Sequence, residues 1–219
     1  MGIFKIRLAG QYQELAGRIK KAFTDFYFTE EGRLNLELTQ TACAFLLYLD
    51  LYPDDGAQAN LREDLERLIK ENNGHLNTGF IGTPVLCPAL SENGRNSLAY
   101  DLLLNEEYPG WLYEVNLGAT TVWERWNSLE GNGMISGTGM NSLNHYAYGS
   151  IAEWMYRYVC GFHPDMGREI MMTIKPMPDR RFSYVRGRWE SVFGTYVSNW
   201  SYHEDEVVHR AGDGYAWSE

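Results

Sequence analysis

The sequence predicts a mainly α-helical chain that turns to β structure near its end. From residue 11 to about residue 160, apolar residues recur at intervals of three and four, segment after segment. Gly, Pro and Asn signals separate these segments with no strand pattern between them. That excludes an alternating α/β sheet and leaves paired helices in a bundle, a solenoid or an α/α barrel. After Gly161 the texture changes to a period of two between Pro, Asp and Gly turns.

In chain order, residues 11–27 read as an amphipathic helix. Leu15, Ile19, Ala22, Phe23 and Phe26 form its inward stripe, and Lys20 and Lys21 lie outside. Residues 30–37 read as a short hairpin or loop. Thr39 is placed to cap a helix through TACAFLLYLDLY, which stops at Pro53 and is apolar nearly all round, as a buried helix should be. Residues 57–72 give the clearest amphipathic helix, with Leu61, Leu65, Leu68 and Ile69 in one stripe and Gly74 just past its end. In GHLNTGFIGTPVLCPALSENG, a loop carrying His75, Asn77 and Thr78 leads to a helix with Pro84 in its first turn. Residues 94–106 read as a further helix with Leu98, Leu102 and Leu103 inward, ended by Pro109-Gly110. A last aromatic helix covers residues 146–160, with Asn144 placed to cap it and Trp154 and Tyr158 packing along one face. Beyond it, MMTIKPMPD, RFSYVRGRWES and GTYVSNWSY read as strands, and residues 203–219 as a frayed or rewired end.

The 219 residues suffice for one sizeable domain, or one domain and a small companion. No apolar run reaches transmembrane length, so no membrane partner is expected, and MGIFKIR is too short and too charged for a signal peptide. A net charge of −10 argues against nucleic acid, whose backbone it would repel. Cys43, Cys87 and Cys160 lie in apolar stretches without CxxC spacing. They read as buried free thiols and favour the cytoplasm. No metal-ligand cluster or nucleotide motif is present, and Asp54-Asp55 and Glu204-Asp205-Glu206 read as solvated surface charges. Neither a metal nor a cofactor is expected.

The chemistry is concentrated in residues 108–158, YPGWLYEVNLGATTVWERWNSLEGNGMISGTGMNSLNHYAYGSIAEWMYRY. Glu124 sits between Trp123 and Trp126, a Gly- and Asn-rich loop follows, and His145 opens the aromatic helix. An indole face packs on the C–H groups of a pyranose, and a carboxylate binds hydroxyls or activates water, so the pattern suits a sugar site. The plain alternative is a core aromatic beside a solvated charge at a helix start.

TTVWERW, MNSLNHYAYGSIAEWMYRY and IKPMPD resemble consecutive motifs of the bacterial α-L-rhamnosidases of glycoside hydrolase family 78. The resemblance runs from about Thr39 to about Tyr202. It implies the C-terminal half of an (α/α)6 barrel over residues 1–161 and the truncated start of a C-terminal β-sandwich over 162–219. It also implies inverting hydrolysis of terminal α-L-rhamnosyl residues, without a cofactor. Glu124 matches the family's general base, and His145 matches its rhamnose-contacting histidine, for which the alternative is a helix-cap or core histidine. Trp111, Trp123 and Trp126 are candidate sugar platforms. Glu114, ten residues before Glu124, is the other acidic candidate weighed within the motif region, but its place in WLYEVN departs from that of a proton donor. The family's general-acid stretch, of the type D-x-P-x-R-D-E-R-x-G-W, has no counterpart in residues 1–110. A base without an acid is expected to be nearly inert on natural rhamnosides.

Three functions are therefore weighed: a rhamnosidase-derived catalytic part acting on rhamnose-containing glycosides, a non-catalytic carbohydrate-binding or interaction remnant, and a different inverting α/α-barrel hydrolase. The last requires a second carboxylate about 6.5–9.5 Å from Glu124. A homodimer or a further N-terminal half would cover the apolar helix faces that half a barrel leaves open.

Overall fold

Local capping starts two of the helices. Thr39 has extended backbone, and its hydroxyl accepts the Ala42 amide at 3.0 Å. Asp54 does the same for the Ala57 amide at 2.8 Å, so it is a helix cap rather than a free surface charge. In the computed structural model, which describes residues 2–164, 172–192, 194–204 and 206–212, these caps open α2 (Gln40–Tyr48) and α3 (Asp55–Glu71). Before them runs α1 (Gly2–Tyr27), and after them come α4 (Thr83–Glu92), α5 (Asn96–Leu103) and α6 (Trp111–Asn116). Among the described residues no helix is long and apolar enough to cross a membrane.

The chain divides into two compact units, Met1–Asn93 and Gly94–Glu219. In the first, α2 packs on both α3 and α4. Cys43, Ala44 and Leu47 of α2 meet Leu61, Leu65 and Ile69 of α3 and Leu86 and Leu90 of α4, all buried. Gln40 fastens the next loop to this core: its amide donates to the His75 carbonyl at 3.1 Å, and its carbonyl accepts the Asn77 amide at 2.7 Å. The stripe expected to point inward from α1 does not. Leu15, Ile19 and Phe26 are 40%, 55% and 75% exposed, because α2, α3 and α4 close their core among themselves.

The second unit begins with α5 and α6, passes through a long irregular stretch, and returns to helix at residue 147. The expected single helix over 146–160 is instead a 3-10 turn (Ala147–Ser150), a short α7 (Ile151–Trp154) and a π turn (Met155–Val159). Trp154 and Tyr158 still share a buried face, their rings stacked at 6.4 Å, and Tyr100 of α5 meets Trp154 edge-on at 5.1 Å. The hydroxyl of Tyr100 donates to the Met177 carbonyl at 3.0 Å. Cys160 is half-buried, less enclosed than its apolar surroundings suggested.

Helix gives way to strand after Gly161, where the sequence changes to a period of two. β1 (Phe162–Pro164) pairs antiparallel with β2 (Met172–Ile174). A separate antiparallel sheet has the order β3 (Tyr184–Ser191), β4 (Gly194–His203), β5 (Glu206–Gly212). The third strand corrects the expectation of a frayed or rewired end as far as residue 212; residues 213–219 lie outside the described residues. Phe162, Met172, Ile174 and Tyr196 form a buried cluster, and the Trp200 indole donates to the Val159 carbonyl at 2.7 Å, tying the sheet to the π turn.

Gly161 makes the junction possible. Its φ is +85°, and a Cβ there would overlap the backbone of Lys175 and Pro176. Gly161→Ala is therefore expected to cost about 1–3 kcal/mol in urea unfolding; an unchanged midpoint would contradict this packing.

Candidate active site

Glu124 stands in an irregular bend, not at a helix start. Between Asn116 and Ala147 the chain forms no helix. The β-branched run Thr120-Thr121-Val122 and the bulky Trp123 favour extension, and the segment finds its partner in residues 142–145. The Glu124 amide donates to the Ser142 carbonyl at 2.9 Å, and the His145 amide donates to the Val122 carbonyl at 2.8 Å. The Glu124 side chain closes the same contact, with Oε2 accepting the Ser142 amide at 2.7 Å. Backbone and side chain of one residue thus both bond to Ser142. Glu124 is 8% exposed, and among the described residues no hydrogen bond takes up its Oε1.

His145 lies on the irregular stretch that holds Glu124. Its Nδ1 accepts the Ala147 amide at 3.2 Å, at the first residue of the following 3-10 turn. The cap expected from Asn144 is not made: the N-cap position of that turn is Tyr146, which gives no side-chain cap. The amide of Asn144 is taken instead by the Ser142 hydroxyl at 3.1 Å. The neighbouring Tyr146 ring stacks on His145 at 4.9 Å and is 87% exposed. Arg125, next to Glu124, turns away and bonds the Ser136 hydroxyl at 3.4 Å and the Gly137 carbonyl at 3.5 Å.

The three tryptophans build the wall behind this segment. Trp111 opens α6 and donates its indole N–H to the Tyr148 carbonyl at 2.9 Å. Trp126 stacks face to face on Tyr148, with centroids 3.9 Å apart and planes 9° apart, and meets Trp111 edge-on at 5.2 Å. Trp111, Trp123 and Trp126 are all buried. The structure thus brings Trp111 and Trp126 together, with one face of Trp126 already covered by Tyr148.

Glu114 follows Trp111 by three residues on α6, so both side chains leave the same helix face and both are buried. Its Oε2 accepts the Trp123 amide at 3.4 Å, while its buried Oε1 has no hydrogen-bond partner. Burial pushes this carboxyl up to about 7, with the Trp123 amide opposing the shift. Burial, followed by the nearby Glu114 charge, also raises the Tyr148 hydroxyl. At 3% exposure Glu114 offers no surface to a leaving group, as its place in the sequence suggested.

Sequence reasoning missed Ser142, Tyr146 and Tyr148. Ser142 carries no signal of its own, because its amide rather than its side chain holds Glu124. Tyr148 was visible only as one of several aromatics. Among the described residues no group of three or more His, Cys, Asp and Glu side chains stands together to hold a metal ion.

Residues 5–159 match the family model described as the bacterial alpha-L-rhamnosidase 6 hairpin glycosidase domain. This chain belongs to that family. It is 38% identical over 189 residues to an alpha-L-rhamnosidase of Formosa agariphila, covering 86% of this chain and 20% of that protein. It is also 38% identical over 192 residues to an alpha-L-rhamnosidase of Streptomyces avermitilis, covering 88% of this chain and 18% of that protein. The crystal structure of Streptomyces avermitilis alpha-L-rhamnosidase complexed with L-rhamnose superposes with a TM-score of 0.84 at 36% identity, over 93% of this chain and 20% of the other. The native enzyme from Aspergillus terreus gives the same TM-score at 32% identity, over 91% and 23%. The chain thus spans about a fifth of the length of the rhamnosidases it matches. Its helices are part of a six-hairpin glycosidase domain, followed by a small antiparallel sheet.

The buried carboxyl makes stability depend on pH. A Glu raised from 4.5 to about 7 on folding leaves the fold unpenalised below pH 4.5. Stability is then lost as pH rises through about 7, where the buried group must ionise. Thermal melts of wild type and Glu114→Gln should therefore diverge in that window, the wild type losing ground to the variant as pH rises. Parallel melting curves from pH 4.5 to above 7 would contradict the buried, unpaired state.

Proposed function

We propose that this chain carries the water-activating part of an inverting α-L-rhamnosidase site, with Glu124 as general base. The observation that carries the reading is the geometry of that carboxylate. Oε2 is held by a backbone amide at 2.7 Å, which fixes the group, and Oε1 is left for a water. Inverting hydrolysis needs such a base opposite the leaving group and a separate proton donor. His145, two hydrogen bonds along the same pairing, is assigned to a rhamnose hydroxyl. The substrate class is a glycoside with a terminal α-L-rhamnosyl residue, in keeping with the rhamnosidase relatives and with the neighbour solved with L-rhamnose.

The indoles of Trp111, Trp123 and Trp126 serve this site as a rigid wall, and their burial leaves only edges for a sugar. Tyr146, exposed and stacked on His145, is the better platform. Residues 1–161 supply the partial barrel domain, and 162–219 begin a β domain. The exposed stripe of α1 is the face that a second copy or further barrel helices would cover. The free thiols Cys43, Cys87 and Cys160 favour a reducing compartment such as the cytoplasm.

A second reading, a sugar-binding remnant without turnover, is favoured by one observation. The carboxyl carried by α6, Glu114, is buried with no access to a leaving group, so it does not supply the proton that Glu124 needs opposite it. An aryl α-L-rhamnoside, whose leaving group needs little acid help, separates the two. Hydrolysis by wild type that falls about 10²-fold or more in Glu124→Gln supports the base. Rhamnose binding without turnover in either protein supports the remnant.

A further inference from the structure

We propose that Glu114 is a positioning residue for Glu124: its buried carboxyl holds the Trp123 amide and so fixes the backbone that presents the Glu124 carboxylate. This rests on the base role assigned to Glu124. The Glu124 amide donates to the Ser142 carbonyl, while the Trp123 amide is directed at α6. Glu114 Oε2 is its acceptor there, at 3.4 Å. Without it, a buried N–H directly before the base would go unpaired, and the segment would be held from one side only.

The other carboxyl oxygen completes the argument. Among the described residues, the buried Oε1 has no hydrogen-bond partner and no cation acts on the group. From α6 itself the buried neighbour is the Trp111 indole. From the 122–125 segment come the Trp123 amide and Arg125, whose guanidinium is engaged with Ser136 and Gly137. From the 3-10 turn comes Tyr148, and Tyr108, ahead of α6, acts on Tyr148 in turn. Glu124 is on the segment too, its carboxylate bonded on the Ser142 side. Glu114 therefore holds the amide as a neutral acid. Its ionisation near pH 7 puts an uncompensated charge into the wall behind the base, and the Trp123–Glu124 backbone must shift to admit water.

The test is an NMR titration of the whole chain, following the Glu114 carboxyl carbon and the Trp123 and Glu124 amides from about pH 5 to about pH 9. In wild type all three should move together, with a midpoint near 7. In Glu114→Gln, which keeps an acceptor and the shape, the amide transition should vanish. A Glu114 carbon that titrates near the ordinary value of 4.5, amides that stay flat, or an amide transition unchanged in Glu114→Gln would each overturn the proposal. The wild-type titration alone decides the matter if the variant does not fold. An aryl rhamnoside left intact by a chain that shows this titration counts against the reaction assigned to Glu124 and supports the positioning by Glu114.

Discussion

The site depends on a short irregular segment, Val122 to Glu124, gripped from two sides. On one side residues 142–145 bond Val122 and Glu124 through the backbone and add the Ser142 amide to the Glu124 carboxylate. On the other side Glu114 accepts the Trp123 amide. No regular secondary structure stabilises this part of the chain, so each of these bonds carries more of the placement than it would inside a sheet. The same stretch delivers His145, whose Nδ1 accepts the amide of Ala147, the first residue of the next turn. Glu124, His145 and the start of that turn are therefore mechanically one unit.

Behind that unit the aromatic residues do the excluding. Trp126, Tyr148 and Trp111 interlock through one stacked and one edge-on contact, and the Trp111 indole spends its N–H on a backbone carbonyl. This interlocked, buried aromatic wall closes off the back of the segment. The cost falls on Glu114, which is left with an unpartnered oxygen in the same wall. Burial without a charge partner favours the neutral form of that carboxyl.

Much of the fold was legible because it is local. The Thr39 cap, the α3 stripe of Leu61, Leu65 and Ile69, the Pro84 start and the change of period at Gly161 each follow from residues close together in sequence. The failures are non-local. The α1 stripe has a correct helical period, but period does not say whether anything covers it. The aromatic helix after His145 breaks into 3-10, α and π turns, which propensity does not foresee. At the site, Glu124 and His145 stood out because their residue types carry chemistry. Ser142 was invisible because it acts through its amide, and Glu114 was set aside as a donor without its hold on Trp123 being visible. Helix geometry placed Glu114 one turn after Trp111, but only the return of the chain at Trp123 gave it a partner.

The central claim is that this chain, spanning about a fifth of the rhamnosidases it matches, forms the base-bearing segment by itself. Hydrogen exchange of the Glu124, Ser142 and His145 amides tests that most directly, since all three bonds lie in the segment and nowhere in regular helix or sheet. The account predicts that all three are protected and open together, as one cooperative unit. Exchange at the rate of unstructured peptide, with the amides of α3 protected in the same sample, would mean that the chain folds without its site and would contradict the account.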